Sequence, residues 1–270
     1  MSRFRNVAGF AWLTVSADEQ IGDSMDYRPD FTRRLVLILF LIIVIAAGAR
    51  MAGAQAAGRG TIKGHIRLNG KLPGNPVIRM GVDPMCAKIN AGKRVIQETV
   101  VASLDGSLAN AFVYLSGTFP STPVPSEPVT LDQQSCIYRP RVIGLRVGQT
   151  LQVKNSDALL HNVHGISVHP EGSFNVGQPV AGMVNKFTLK NEEIMFQLKC
   201  DVHRWMIAYI GVVNHPYFAV SDTAGTFEIR NVPAGMQTIK VWHEHYGTLT
   251  QTLSVKGGAI QSVEFAYAGE

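Results

Sequence analysis

Ile194-Met-Phe-Gln-Leu-Lys-Cys200 alternates, then runs straight into Asp-Val-His203-Arg-Trp-Met206. Successive side chains of a β-strand point to opposite faces, so Ile194, Phe196, Leu198 and Cys200 share one face, and Met195, Gln197 and Lys199 the other. The first set is apolar and belongs to a core, which aims Cys200 inward at the strand end. His203 and Met206 follow on a short loop. Upstream, Leu151-Gln-Val-Lys-Asn155 also alternates and leads into a loop that ends at His161.

One thiolate, two imidazoles and one thioether can therefore converge at one end of a β-sandwich. Two His and one Cys in a trigonal plane, with a weak axial Met, is the ligand set of a mononuclear blue copper site. The order His161-Asn-Val-His164 followed by Cys200-Asp-Val-His203-Arg-Trp-Met206 resembles the cupredoxins, amicyanin most closely. The resemblance covers roughly Val129 to Asn214. It implies His161, Cys200, His203 and Met206 as the ligands of one type 1 copper ion, with Asn162 tying the two ligand loops together. It also implies single-electron shuttling with a redox partner protein that docks where His203 approaches the surface, and this chain's own Leu159, Leu160 and Trp205 read as an apolar docking patch. Arg204 and Trp205 stand where the family has Pro and Phe, which leaves the partner surface and the potential open.

Working outward, short alternating runs recur between Gly, Pro and Asn-Gly turns, the pattern of β-sandwiches. Val142–Val147 and Thr150–Asn155 flank Gly148-Gln149 and read as a hairpin-like pair. Ala111–Leu115 reads as a strand, and Pro120 to Pro128 as a linker or domain crossing. Asp222-Thr-Ala-Gly-Thr-Phe, Val232-Pro-Ala-Gly235 and the alternating Gln237–Trp242 resemble a carboxypeptidase regulatory-like (transthyretin-like) sandwich, whose opening strand Gly60-Thr-Ile-Lys-Gly64 matches. The expected fold is all-β: a cupredoxin Greek-key sandwich over 121–215, inserted between the halves of a second small sandwich, 57–120 and 216–270. A plain two-domain tandem is the competing layout. Residues 1–56 form a cytoplasmic extension and an apolar signal or anchor helix.

Of the other histidines, His164 lies three residues from His161, so parity sends it to the opposite face, where a structural role is expected. His169 and His215 adjoin prolines and read as loop residues. His243 and His245 read as a solvated strand edge, with a surface metal pair as the alternative. Cys86 and Cys136 remain once Cys200 is assigned, and in an exported chain they suggest a disulfide, two free buried thiols being the other reading.

Leu35 to Gly48 is an unbroken apolar run preceded by Arg33 and Arg34 and followed by Ala52-Gly-Ala54 and Ala54-Gln-Ala56. That is the order of a secretory signal. The run is shorter than the roughly 20 residues of a comfortable membrane span, and an uncleaved signal anchor remains the alternative. A start at Met25 would place the basic pair at a usual distance. The expected location is periplasmic or extracytoplasmic, with a possible membrane tether. In 270 residues the net charge is +5 and the basic residues are scattered, which gives no support to nucleic-acid binding. Catalysis at a metal needs an open position, and four protein ligands leave none, so the chain is read as a non-enzyme. The alternatives in function are a copper carrier and a β-sandwich binding module.

Overall fold

The computed structural model describes residues 58–269. In chain order it contains β1 (Arg59–Asn69), α1 (Pro84–Ile89), β2 (Phe112–Ser116), β3 (Val129–Gln134), β4 (Ile137–Arg139), β5 (Val142–Arg146), β6 (Thr150–Asn155), β7 (His161–Ile166), β8 (Phe174–Gln178) and β9 (Val184–Thr188). There follow β10 (Glu193–Lys199), β11 (Ile207–Val213), β12 (Phe218–Val220), β13 (Thr226–Pro233), β14 (Gly235–His243), β15 (Gly247–Val255) and β16 (Ile260–Ala268). The chain is thus mostly β. The signal or anchor segment lies outside the described residues, and no described helix is long and apolar enough to cross a membrane.

Four sheets enclose two cores. A five-stranded sheet, β5-β11-β10-β7-β8, faces a four-stranded one, β4-β3-β6-β9. Between them Leu131, Leu145, Leu151, Val153, Val163, Phe196, Leu198 and Ile210 are buried. The alternation of each strand supplies this face, as two packed sheets require. A three-stranded sheet, β13-β1-β16, and a four-stranded one, β12-β2-β14-β15, enclose the second core, filled by Ile62, Ile66, Leu115, Ile229, Ile239, Val241 and Phe265. Strands from both ends of the described chain build it, since β1 pairs in parallel with β16 and β2 pairs with β14.

The two sandwiches meet through an apolar seam of Phe112, Val142, Met195 and Val213. Gly144 and Gly211 are register partners on β5 and β11, and a Cβ on either would run into the Phe112 ring. Two adjacent glycines thus open the space the ring fills. The buried Arg141–Glu244 ion pair crosses between the same two sandwiches.

Two expectations fail here for physical reasons. Val142–Arg146 and Thr150–Asn155 do not pair: β5 joins β11 in one sheet and β6 joins β3 and β9 in the other. Alternation fixes which face is apolar, not which sheet a strand enters, and the Gly148 turn carries the chain across the core. On β10 the parity slips. A register shift lies between Ile194 and Phe196, where Met195 takes φ 121. Such a bulge inserts an extra residue, so Ile194 is exposed while Met195 turns into the seam. Phe196, Leu198 and Cys200 keep the expected inward face.

Residues 76–98 leave the second sandwich and close over one end of the first. The Ile78 amide donates to the Val95 carbonyl, and Ile78, Met80, Cys86, Ile89 and Val95 pack on the core that holds Cys200. Asp83 caps α1, accepting from the amides of Met85 and Cys86. Cys86 is bonded to Cys136, which joins the two cysteines left over in the sequence.

Candidate metal centre

The inward parity of β10 delivers Cys200, buried, to the end of the five-stranded sheet. A compact loop returns the chain: the Cys200 amide donates to the Met206 carbonyl at 3.1 Å, and the Met206 amide donates to His203 at 2.8 Å. His203 is thereby turned back under the loop, and Met206 is fully buried in the same core cluster as Cys200. On the neighbouring β7, His161 and Val163 face inward and His164 outward, where His164 meets Asp201 at 2.8 Å.

One ligand atom each from His161, Cys200 and His203 falls within a 4.8 Å cluster. The two imidazole Nδ1 atoms face each other at 2.9 Å, and Cys200 Sγ lies 3.8 Å from His203 Nδ1. Each Nε2 is occupied by a carboxylate: His161 Nε2 stands 3.0 Å from Asp157 Oδ2, and His203 Nε2 stands 3.0 Å from Asp83 Oδ2. A carboxylate only accepts, so each Nε2 must donate, and a neutral ring then presents a bare lone pair at Nδ1. Two such nitrogens facing each other beside a thiolate have room for one cation between them, a proton in the metal-free protein or a metal ion that the sulfur shares.

The electrostatics agree. Burial pushes the Cys200 thiol up, but bonds from His161, His203 and the amides of Asn162 and His203 outweigh it and bring its pKa to about 6. Burial disfavours charge on His161, yet Asp157 and Cys200 outweigh it and raise its pKa. Burial acts on His203 in the same sense and is outweighed by Cys200 and Asp83. The amide of Cys86 and the His203 ring hold Asp83 below the usual carboxylate range. Burial raises Asp157, but the His161 ring and the amides of Cys136 and Ser135 bring it down.

The surrounding residues fix the ligands. Asn155 donates to the carbonyls of Leu159 and Gln178 at 3.0 and 2.9 Å and accepts from the Asp157 amide at 2.9 Å, which sets the loop before His161. Asn162 accepts from the Asp201 amide through its side chain, and its own amide points at Cys200 Sγ at 3.4 Å, so it does tie the two ligand loops. Tyr138 donates to the carbonyls of Asn162 and Lys199 at 2.9 and 3.3 Å. Trp205 lies over His203 with ring centroids 5.1 Å apart and donates to the Cys136 carbonyl at 2.9 Å.

His203 does not approach the surface. It is 1% exposed, because Asp83 and Cys86 of the 76–98 segment cover its outer edge. Of the expected docking residues, Leu160 is exposed, whereas Leu159 and Trp205 pack on the core. Asp83 and Asp157 were not singled out in the sequence. Asp157 stands four residues before His161, and Asp83-Pro84 is a helix-start signal, yet neither pattern points to a ring nitrogen.

His243 is not part of a solvated edge. It is fully buried where β14 ends, while His245 sits beyond it in the turn. His215 is likewise buried, against the Phe119 and Tyr217 rings.

No protein-family model matches this chain, nor does any curated protein. Among solved structures, it is similar to a copper-containing nitrite reductase (NirK) from Thermus scotoductus SA-01, with 20% identity over 36% of this chain and a TM-score of 0.30. The matched part spans only 24% of that reductase's length. A purple cupredoxin from Nitrosopumilus maritimus matches 31% of this chain and 97% of its own, with 21% identity and a TM-score of 0.27. Amicyanin from Paracoccus versutus matches 37% of this chain and 96% of its own, with 17% identity and a TM-score of 0.29.

Proposed function

We propose that residues 121–215 form a cupredoxin domain that holds one type 1 copper ion through His161, Cys200, His203 and Met206, and that the protein passes single electrons between redox partners outside the cytoplasm. The observation that carries this reading is the pair of facing Nδ1 atoms, 2.9 Å apart, whose opposite nitrogens are both committed to carboxylates. A soft thiolate with two imidazoles and a buried thioether selects copper among the common metals. A bound copper ion supplies a one-electron couple. The chain's own contribution is rigidity and dryness. The Cys200 sulfur is held by two backbone amides, the rings are held at their outer nitrogens, and the cluster is shut off from water.

The same reading assigns the second sandwich, 57–120 with 216–270, to the carboxypeptidase regulatory-like class as a binding or structural module. It takes the Leu35–Gly48 run as the signal or membrane anchor. A copper carrier is the second reading, favoured by the burial of His203, since a covered ring offers no imidazole edge to a docked redox partner. Adding Cu(II) to residues 57–270 and recording visible and EPR spectra tests the first claim. An intense charge-transfer band with narrow copper hyperfine splitting is expected. A colourless protein, or an ordinary tetragonal signal, overturns it. A reversible voltammetric wave separates the shuttle from the carrier.

A further inference from the structure

We infer that Asp83 and Asp157 are a matched pair of positioning residues for the two imidazole ligands, and that the Cys86–Cys136 disulfide is the covalent tie that holds both of them in place. The inference rests on the copper reading above.

Three features converge on it. Each carboxylate sits 3.0 Å from the Nε2 of one ring, Asp157 on His161 and Asp83 on His203. Each is itself anchored by the amide of one half-cystine: Cys86 donates to Asp83 Oδ1 at 3.0 Å and Cys136 donates to Asp157 Oδ2 at 2.7 Å. The two half-cystines are then bonded to each other across 50 residues of sequence. The chain therefore runs ring, carboxylate, amide, disulfide, amide, carboxylate, ring. Closed in this way, it fixes both Nδ1 atoms toward the same point from behind.

The two carboxylates differ in their dependence on that tie. Asp157 is 6% exposed and is also held within the sandwich by the Ser135 amide, which donates to its carboxylate, and by its own amide, which donates to Asn155 Oδ1. Asp83 is 27% exposed, lies 120 residues before His203 and belongs to the 76–98 segment. Without the disulfide, Asp83 loses the covalent link that brings it to the site, whereas Asp157 keeps its local bonds. A carboxylate on the outer N–H fixes the tautomer and orientation of a ligating imidazole and raises its basicity. Stronger donation favours the more highly charged oxidation state of a bound ion.

The test uses the full chain and the variants Asp83→Asn, Asp83→Glu, Asp157→Asn and Cys86→Ser with Cys136→Ser. In the metal-free protein, nitrogen-15 NMR should find the His203 Nε2–H slow to exchange in wild type. Exchange should quicken at least tenfold in Asp83→Asn and in the double serine variant, while His161 Nε2–H changes only in Asp157→Asn. In the copper-loaded protein, Asp83→Asn and the double serine variant should each raise the Cu(I) to Cu(II) ratio at fixed ambient potential at least threefold. Asp83→Glu, which keeps the charge, should recover most of that shift. Unchanged exchange and unchanged ratio in Asp83→Asn overturn the positioning role, and a double serine variant identical to wild type overturns the tie. If wild type gives no type 1 signal, the copper reading fails on its own, and the metal-free exchange still decides the clamp.

Discussion

His243, at the end of β14, and the pair His161 and His203, at the end of the other sandwich, are all shut off from solvent. His243 lies among the rings of Tyr246 and Tyr267. Burial, together with the nearby charges of His245 and Arg141, pushes its pKa down to about 4. His161 and His203 meet the same burial, yet each touches a carboxylate and faces a thiol, and each is raised. Burial alone makes a histidine neutral filling. Only the second region adds the anions that make a closed, polar pocket receptive to a cation. A histidine's distance from water therefore says little about its role, and the groups at its outer nitrogen say much.

The largest effect that could break this contrast is at Cys200. Cys200→Ser should abolish the thiolate-to-copper charge-transfer band completely, while His243→Phe leaves it at full intensity in the visible spectrum. A coloured serine variant would remove Cys200 from the ligand set. Next comes the disulfide. Closing a loop of 50 residues is worth about 4 kcal/mol on the chain-entropy account, so Cys86→Ser with Cys136→Ser should lower unfolding stability by that order in denaturant titration. The loss should fall on the sandwich that carries the site.

How much of this could be read from the chain follows from distance along it. Cys200, His203 and Met206 lie within one short loop, and strand parity aims the first of them, so the cluster was legible. Counting cysteines suggested the pairing of Cys86 with Cys136 but left two free thiols open, and the fold supplies the bond. The bulge at Met195 was not legible, because an extra residue leaves the apolar composition of β10 intact and changes only its phase. Nor was the sheet change between β5 and β6, since both strands present an apolar face to the same core. Asp83 could not be placed, because its partner is 120 residues away and depends on how the 76–98 segment folds back. His243 was misjudged for a related reason: only the packing of β14 near the turn shows that its ring is covered.

Acid should sharpen the comparison with opposite signs. Above the ordinary histidine value of 6.5, His243 is neutral both folded and unfolded. As pH falls toward about 4, the unfolded chain takes a proton that the folded one refuses, so stability declines by about 3 kcal/mol across that window. His243→Phe should flatten that slope in denaturant titrations from pH 7 to 4. The raised values of His161 and His203 in the metal-free protein act the other way. Their contribution is full below 6.5 and is lost as pH rises through their folded values. His161→Phe should remove part of that loss, and the same slope in both proteins would sink the assignment.

The smallest effect probes whether the two regions are mechanically separate. Gly211 of β11 leaves room for the Phe112 ring, and β11 begins one residue after Met206. Gly211→Ala overpacks the seam, which costs about 1–3 kcal/mol, and Phe112→Leu in the same chain should restore most of it. Gly211 lies four residues into the strand, beyond the bonds that lock Cys200 to Met206 and Met206 to His203. Those bonds should absorb the shift, so the charge-transfer maximum stays fixed while the melting temperature falls. A displaced maximum with Gly211→Ala, reversed by Phe112→Leu, would instead mean that strain in the seam travels along β11 to the thioether, and that the second sandwich helps set the properties of the site.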